Sequence, residues 1–261
     1  MRVALIQMRS GTDPARNTAD ALQLIREAAG ESAELVATPE MTTQLDRRRT
    51  SPIPAEADTL APFRDLASEL GIHILLGSTP VPDEGKLRNQ SVLLSPSGIS
   101  ARYSKMNLFD VDVSETESWR ESATYRAGDA PTVAQLGDVR LGLTICYDLR
   151  FSELFRNYAR EGCQLIAVPA AFTVPTGEAH WHVLLRARAI ETGAYILAPA
   201  QGGQHEDGRR TFGHSLVVDP WGEVVAELAH DEPGILLADL DLSRVADARR
   251  RIPAWAQVPK V

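Results

Sequence analysis

Cys146 stands in "LGLTICYDLRFSELF", where an apolar run ends and a helix-like run begins. A thiol at that junction is either packed filler or a nucleophile. A helix start would offer free N–H groups and a partial positive charge, which lower a thiol pKa and can hold an oxyanion. A nucleophilic thiol also needs a base. Histidine is the usual one, but none of the six histidines has an obvious setting. Glu40, closing "ELVATPE", offers an acidic base, and Lys105 in "ARYSKMNLFD" offers a cation. By residue type alone both are ordinary surface groups. Cys163, in "REGCQLIAV", precedes a core strand and reads as an inert packed thiol.

Other chemistries lack their signatures. There is no GxSxG elbow, P-loop, GxGxxG or HExxH. The "HWH" at His180–His182 points its two imidazoles to different sides of a helix. No further ligand lies nearby in sequence, so no metal site is expected there. His182 and His214 are expected to pack or hydrogen-bond. The arginine runs Arg47–Arg49 and Arg249–Arg251 read as solvated faces. A net charge of −8 repels phosphate backbones and argues against nucleic acid. Two cysteines make no disulfide framework, which fits a reducing cytoplasm. "MRVALIQMRS" lacks the features of a signal peptide, and no run reaches the roughly 18 apolar residues of a membrane span. The expected setting is cytoplasmic, without a membrane partner.

The elements that would position these groups alternate. Short apolar runs predict strands at 3–7, 35–38, 73–78, 90–95, 141–146, 165–169, 195–199, 215–219 and 235–239. "NTADALQLIREAAG" predicts a helix burying Ala21, Leu22, Ile25 and Ala29, with Gly30 as its cap. "EAHWHVLLRARAIETG" predicts another, burying Trp181, Leu184, Leu185 and Arg188 and stopping at Gly193. The run after Cys146, "DLRFSELFRNYAREG", predicts a third. Alternation of this kind means an α/β protein, and a hairpin over 131–143 means mixed sheets. Residues 106–130 lack periodicity but carry Phe109, Val111, Val113, Trp119 and Tyr125, which predicts an ordered loop over a site. "VATPE", "AVPAAF" and "LAPAQ" each end an apolar run at a proline. Either the prolines simply stop strands, or Glu40, Cys146, Phe172 and Gln201 converge at strand ends, where α/β proteins bind ligands.

"VATPEM", "YSKMNLFD" and "GLTICYDLRFSEL" stand in the order of the three signatures of the nitrilase superfamily of carbon–nitrogen hydrolases, which the chain resembles over almost its whole length. The resemblance implies one domain over residues 1–261. It implies a four-layer α-β-β-α sandwich with two mixed sheets, no cofactor or metal, and a homodimer joined through helices. Carried over, the catalytic glutamate is Glu40, the lysine Lys105 and the nucleophile Cys146. Glu121 in "SWRESATYRAGD" matches a second glutamate of many members. The Tyr147 N–H and Lys105 would meet the oxyanion. "AFTVPTGEAHWHVLLRARAIET" and "AQGGQHEDGRRTFGHSLVVDPWG" look most like the branch holding deaminated glutathione amidases and omega-amidases. Their substrates carry carboxylates, for which Arg150 or Arg209 could serve; Arg150 could equally form an ion pair at a helix start. Phe172 and Thr173 could line the pocket. Three readings follow: an amidase of deaminated glutathione; an omega-amidase or other small-amide or carbamoyl hydrolase; and a non-catalytic scaffold, against which the intact acid, lysine and cysteine set speaks.

Overall fold

The computed structural model describes residues 1–47, 49–112 and 118–257. Val113, named above in the ordered loop, and Arg48 of the first arginine run lie outside the described residues. β1 (Arg2–Gln7), α1 (Pro14–Gly30), β2 (Leu35–Ala37), α2 (Glu56–Leu70), β3 (His73–Asp83), β4 (Lys86–Ser95) and β5 (Gly98–Ser104) come first. A short hairpin follows, β6 (Asp110–Asp112) with β7 (Ser118–Arg120). Then come β8 (Thr132–Leu136), β9 (Val139–Leu143), α3 (Ser152–Arg160), β10 (Leu165–Ala167), α4 (Val174–Thr192) and β11 (Tyr195–Ala198). A second small hairpin, β12 (Gly202–Gln204) with β13 (Arg210–Phe212), leads to β14 (Leu216–Val218), β15 (Val224–Glu227), β16 (Gly234–Asp239) and α5 (Ser243–Arg251).

Two six-stranded sheets face each other, in the orders β16-β1-β2-β3-β4-β5 and β15-β14-β11-β10-β9-β8. Each has a parallel centre, β1-β2-β3 and β9-β10-β11, flanked by antiparallel strands. Alternation along β1 sorts the layers. Val3 and Leu5 join the core between the sheets, with Leu141, Leu143, Leu165 and Leu197. Ala4 and Ile6 point the other way, to Ala21, Ile25, Phe63 and Leu66 of α1 and α2. On the far side, Phe155, Tyr158, Trp181 and Leu185 bring α3 and α4 onto the second sheet. The result is the α-β-β-α sandwich, with the central strands of both mixed sheets buried on both faces.

The helix ends follow local chemistry. Asp13 caps α1 by accepting from the Ala15 and Arg16 amides, ahead of Pro14 in the first turn. Gly30 is not the cap: the helix runs through it, and Glu31 closes it through bonds to the Ala28 and Ala29 carbonyls. The buried stripe of α1 is Asn17, Ala21, Ile25 and Ala28, leaving Leu22 and Ala29 half-buried at its edge. α4 stops where its sequence predicts, at Gly193 with a left-handed φ of 57°.

β3 is irregular where the site needs it. Its register against β4 shifts between Leu76 and Thr79. At Gly77 in that bulge, a Cβ would collide with the Thr38 and Pro39 carbonyl oxygens. Only glycine lets β3 come so close to the turn that follows β2.

Candidate active site

Glu40 sits just past β2 in a turn held on every side. The Met41 amide donates to Ser78 Oγ at 2.9 Å, and the Gly77 amide to Thr38 Oγ1 at 3.0 Å. Gln201, past β11, donates from Nε2 to the Glu40 carbonyl at 3.0 Å and to Ser10 Oγ at 2.8 Å. Met41 has φ of +56°, uncommon for a side chain of its size. Lys105 follows β5, its amide bonded to the Asn89 carbonyl at 2.9 Å. Glu121 begins the turn after β7 and takes the Phe109 amide on Oε2 at 2.7 Å.

These elements bring the charges together. Lys105 Nζ lies 2.9 Å from Glu40 Oε1 and 2.9 Å from Glu121 Oε2. The lysine side chain is 2% exposed and the Glu40 side chain 6%, so water screens neither. Asn89 Nδ2 donates to both acids, to Glu40 at 2.8 Å and to Glu121 at 3.1 Å. The Cys146 thiol shares the cavity with the Glu40 carboxylate, and each acts on the other's ionisation. Burial alone would raise the Glu40 pKa, but the Lys105 charge and hydrogen bonds from Lys105, Cys146 and Asn89 outweigh it and hold it below the ordinary value. Burial likewise would lower that of Lys105, and the two carboxylates raise it well above its usual range. Both directions favour the charged forms, a Glu40 carboxylate and a Lys105 ammonium.

Cys146 departs from one expectation. β9 ends at Leu143, the thiol opens a 3₁₀ turn over Cys146–Arg150, and α3 begins only at Ser152. The thiol is therefore not at an α-helix N-terminus, and its pKa is not lowered. Burial and the Glu40 charge push it well above 9.0, against the pull of Lys105. It rests as a neutral thiol beside an ionised acid. The turn is held by buried Asp148, which accepts from the Ile145 amide at 2.9 Å, Tyr103 OH at 2.7 Å and Asn107 Nδ2 at 2.8 Å. Cys146 itself has φ of +50°, with its amide on the Pro169 carbonyl at 2.9 Å. Cys163 is fully buried and its pKa pushed up to about 12, as for an inert thiol.

The four groups open into one cavity of about 340 Å3, within the range of small-ligand sites. Tyr147, Phe172, Thr173 and Arg150 line it, as do Phe109, Trp119 and Tyr125 of the loop over 106–130. Glu40, Cys146 and Phe172 thus converge at the strand ends, with Gln201 bracing the first. Arg150 forms no ion pair among the described residues. Its guanidinium lies 5.8 Å from the Tyr147 ring centre and 5.7 Å from that of Phe172, and meets His180 Nδ1 at 3.4 Å.

Asn89, Asp148, Tyr103 and Asn107 are missed by sequence reasoning. In "RNQSVLL" the asparagine is one polar residue of a strand, and only the register of β4 against β5 takes it to Lys105. The arginine runs are not simply solvated. Arg47 and Arg49 line the cavity. Arg249 is half-buried, donating to the Thr192 and Cys163 carbonyls at 3.1 and 2.6 Å, because α5 folds back over the end of α4. His182 and His214 do hydrogen-bond, both to Glu227 Oε1, at 2.8 and 3.0 Å. Sequence distance hides these two partners of His182. Among the described residues this trio is the one group of such side chains close enough to hold a metal ion, its ligand atoms within 4.8 Å of one another. As they stand, the three satisfy each other.

A four-layer sandwich with a cysteine, a lysine and two carboxylates meeting in one cavity is built as an amide-cleaving enzyme is. The carbon-nitrogen hydrolase family profile matches residues 2–250, and the chain belongs to that family: it is a carbon–nitrogen hydrolase acting on amides. It is 39% identical to the deaminated glutathione amidase of Synechocystis sp. over 260 residues, covering 96% of this chain and 95% of that one. To the omega-amidase NIT2 of Homo sapiens it is 37% identical over 260 residues, covering 98% and 94%. The C. elegans NitFhit protein superposes with a TM-score of 0.89 at 33% identity, over 98% of this chain. This chain spans 64% of the NitFhit chain.

Proposed function

We propose that the chain is an amidase working through a Cys146 thioester, with deaminated glutathione as its substrate and 2-oxoglutarate and cysteinylglycine as products. One observation carries the reading: a buried thiol opening into the same cavity as a buried Glu40 that shares one ammonium with Glu121. In this account Glu40 takes the Sγ proton as the sulfur attacks the amide carbon. The oxyanion is met by Lys105 Nζ and the Tyr147 amide, which none of the turn's hydrogen bonds occupies. Each such donor is worth about 3–4 kcal/mol in other enzymes. Glu40 returns its proton to the leaving nitrogen, the C–N bond breaks, and the amine departs. A water gives its proton to Glu40 as it attacks the thioester. The C–S bond breaks, the acid leaves, and Glu40 re-protonates the sulfur. Glu121 and Asn89 hold Glu40 and Lys105 in register throughout.

Arg150, with no carboxylate partner among the described residues and its face to two aromatic rings, suits the carboxylate of a 2-oxo acyl group. Phe172 and Thr173 flank that group. An omega-amidase acting on 2-oxoglutaramate is the second reading; Arg150 serves it equally, and the 37% identity to an omega-amidase favours it. We also propose a cytoplasmic setting and a homodimer, and exposed Val183 and Ile190 on α4 support the second. A product assay by mass spectrometry on deaminated glutathione, 2-oxoglutaramate, glutamine and N-carbamoyl amino acids separates the readings. Release of cysteinylglycine at the highest kcat/KM is expected; preference for 2-oxoglutaramate moves the assignment to the second reading.

A further inference from the structure

Two guanidinium groups flank Trp119 at the mouth of the cavity, 4.3 Å (Arg47) and 5.1 Å (Arg209) from its ring centre. Buried Asp207 holds the Arg209 guanidinium and the Arg47 backbone. It accepts from Arg209 Nε at 2.9 Å and from the Arg47 amide at 2.9 Å. The Arg47 guanidinium donates to the Ser118 carbonyl at 3.3 Å and has no ion pair among the described residues. Asp207 thus pairs with the Arg209 guanidinium but meets only the backbone of Arg47, whose guanidinium stays a cation braced on an aromatic ring. The inner cavity of about 340 Å3 continues here into an outer space of about 680 Å3, and Arg47, Trp119, Thr173 and Arg209 line both. Arg150 lines the inner space alone.

The order of events in a thioester mechanism orients a substrate between these two cationic positions. The amine departs while the acyl group is still bonded to sulfur, and water then has to enter. The amine side must therefore face the opening, and the acyl side must lie inward beside Arg150. We propose that Arg47 and Arg209, braced on Trp119, form an outer carboxylate subsite for the terminal carboxylate of the leaving amine, so that the enzyme selects long amides that are anionic at both ends. This rests on the amidase reading above. It sets a 2-oxo acyl dipeptide apart from a primary amide, whose leaving group, ammonia, has nothing to place there.

The test compares deaminated glutathione with its analogue bearing a neutral C-terminal carboxamide. Two ratios are read: kcat/KM for turnover by the wild-type enzyme, and Kd for binding to Cys146→Ala by calorimetry. The acid is expected to win by about tenfold or more in both, the scale of a hydrogen bond to a charged group. In Arg47→Gln, a change at an exposed position, both ratios should fall towards one. A folding defect would lower both substrates together and leave the ratio standing. Wild-type ratios near one, or ratios kept intact in Arg47→Gln, overturn the subsite while the amidase stands. Carboxylate-selective binding without turnover of any amide overturns the amidase reading and leaves the subsite.

Discussion

Asn89 shows what a single side chain does for the charged cluster. Its amide nitrogen lies between Glu40 and Glu121, the two acids that clamp Lys105. Two carboxylates drawn to one ammonium repel each other, and a shared donor eases that repulsion. Asn89→Ala should therefore cut kcat about tenfold or more, with a smaller change in KM, because it loosens the acid that moves the proton. Steady-state kinetics on the purified variant check this, and an unchanged kcat would remove Asn89 from the account. The pH dependence has a definite sign. A carboxyl whose pKa is lower in the folded chain than its ordinary 4.5 contributes stability above that value, and the contribution is lost as pH falls through the lower, folded value. The acid limb of kcat/KM should accordingly lie below the ordinary carboxylate range. A pH–rate profile whose acid limb falls near neutrality contradicts an ionised resting Glu40.

At the scale of elements, the site depends on backbone placed where regular structure fails. The bulge in β3 lets Gly77 and Ser78 hold the Glu40 turn, and Gly77→Ala would push a methyl group into two carbonyl oxygens. That substitution should cost on the order of 1–3 kcal/mol by overpacking and lower activity by displacing Glu40. Chemical denaturation and kinetics on the variant measure both, and a variant of wild-type stability and rate contradicts the close approach. The strands that place the acid, the thiol and Phe172 were legible because β2, β9, β10 and β11 are short runs rich in apolar residues, and β2, β10 and β11 end near prolines. β12, β13 and β15 were not; "GGQ", for one, carries no alternating apolar pattern and is defined by its partner. The 3₁₀ turn at Cys146 was also misread. "DLRF" has helical composition, yet Asp148 turns inward to cap the Ile145 amide and bind Tyr103, which ends the turn before α3 starts.

For the whole molecule, the two sheets meet face to face and carry residues over a hundred positions apart in sequence to one cavity. The linear motifs named Glu40, Lys105 and Cys146 because each lies in a compact signature, and Glu121 entered by its likeness to a second glutamate of many members. Arg47 was harder to read, since an "RRR" run looks the same whether it meets water or a cavity wall, whereas Arg209 was named beside Arg150 for a carboxylate. The account's central claim is that the sulfur of Cys146 carries the acyl group. Cys146→Ala, shown to be folded by circular dichroism and thermal melting, should lose amide hydrolysis by at least about a thousandfold when product is followed by mass spectrometry. Hydrolysis by that variant at the wild-type rate would contradict the account.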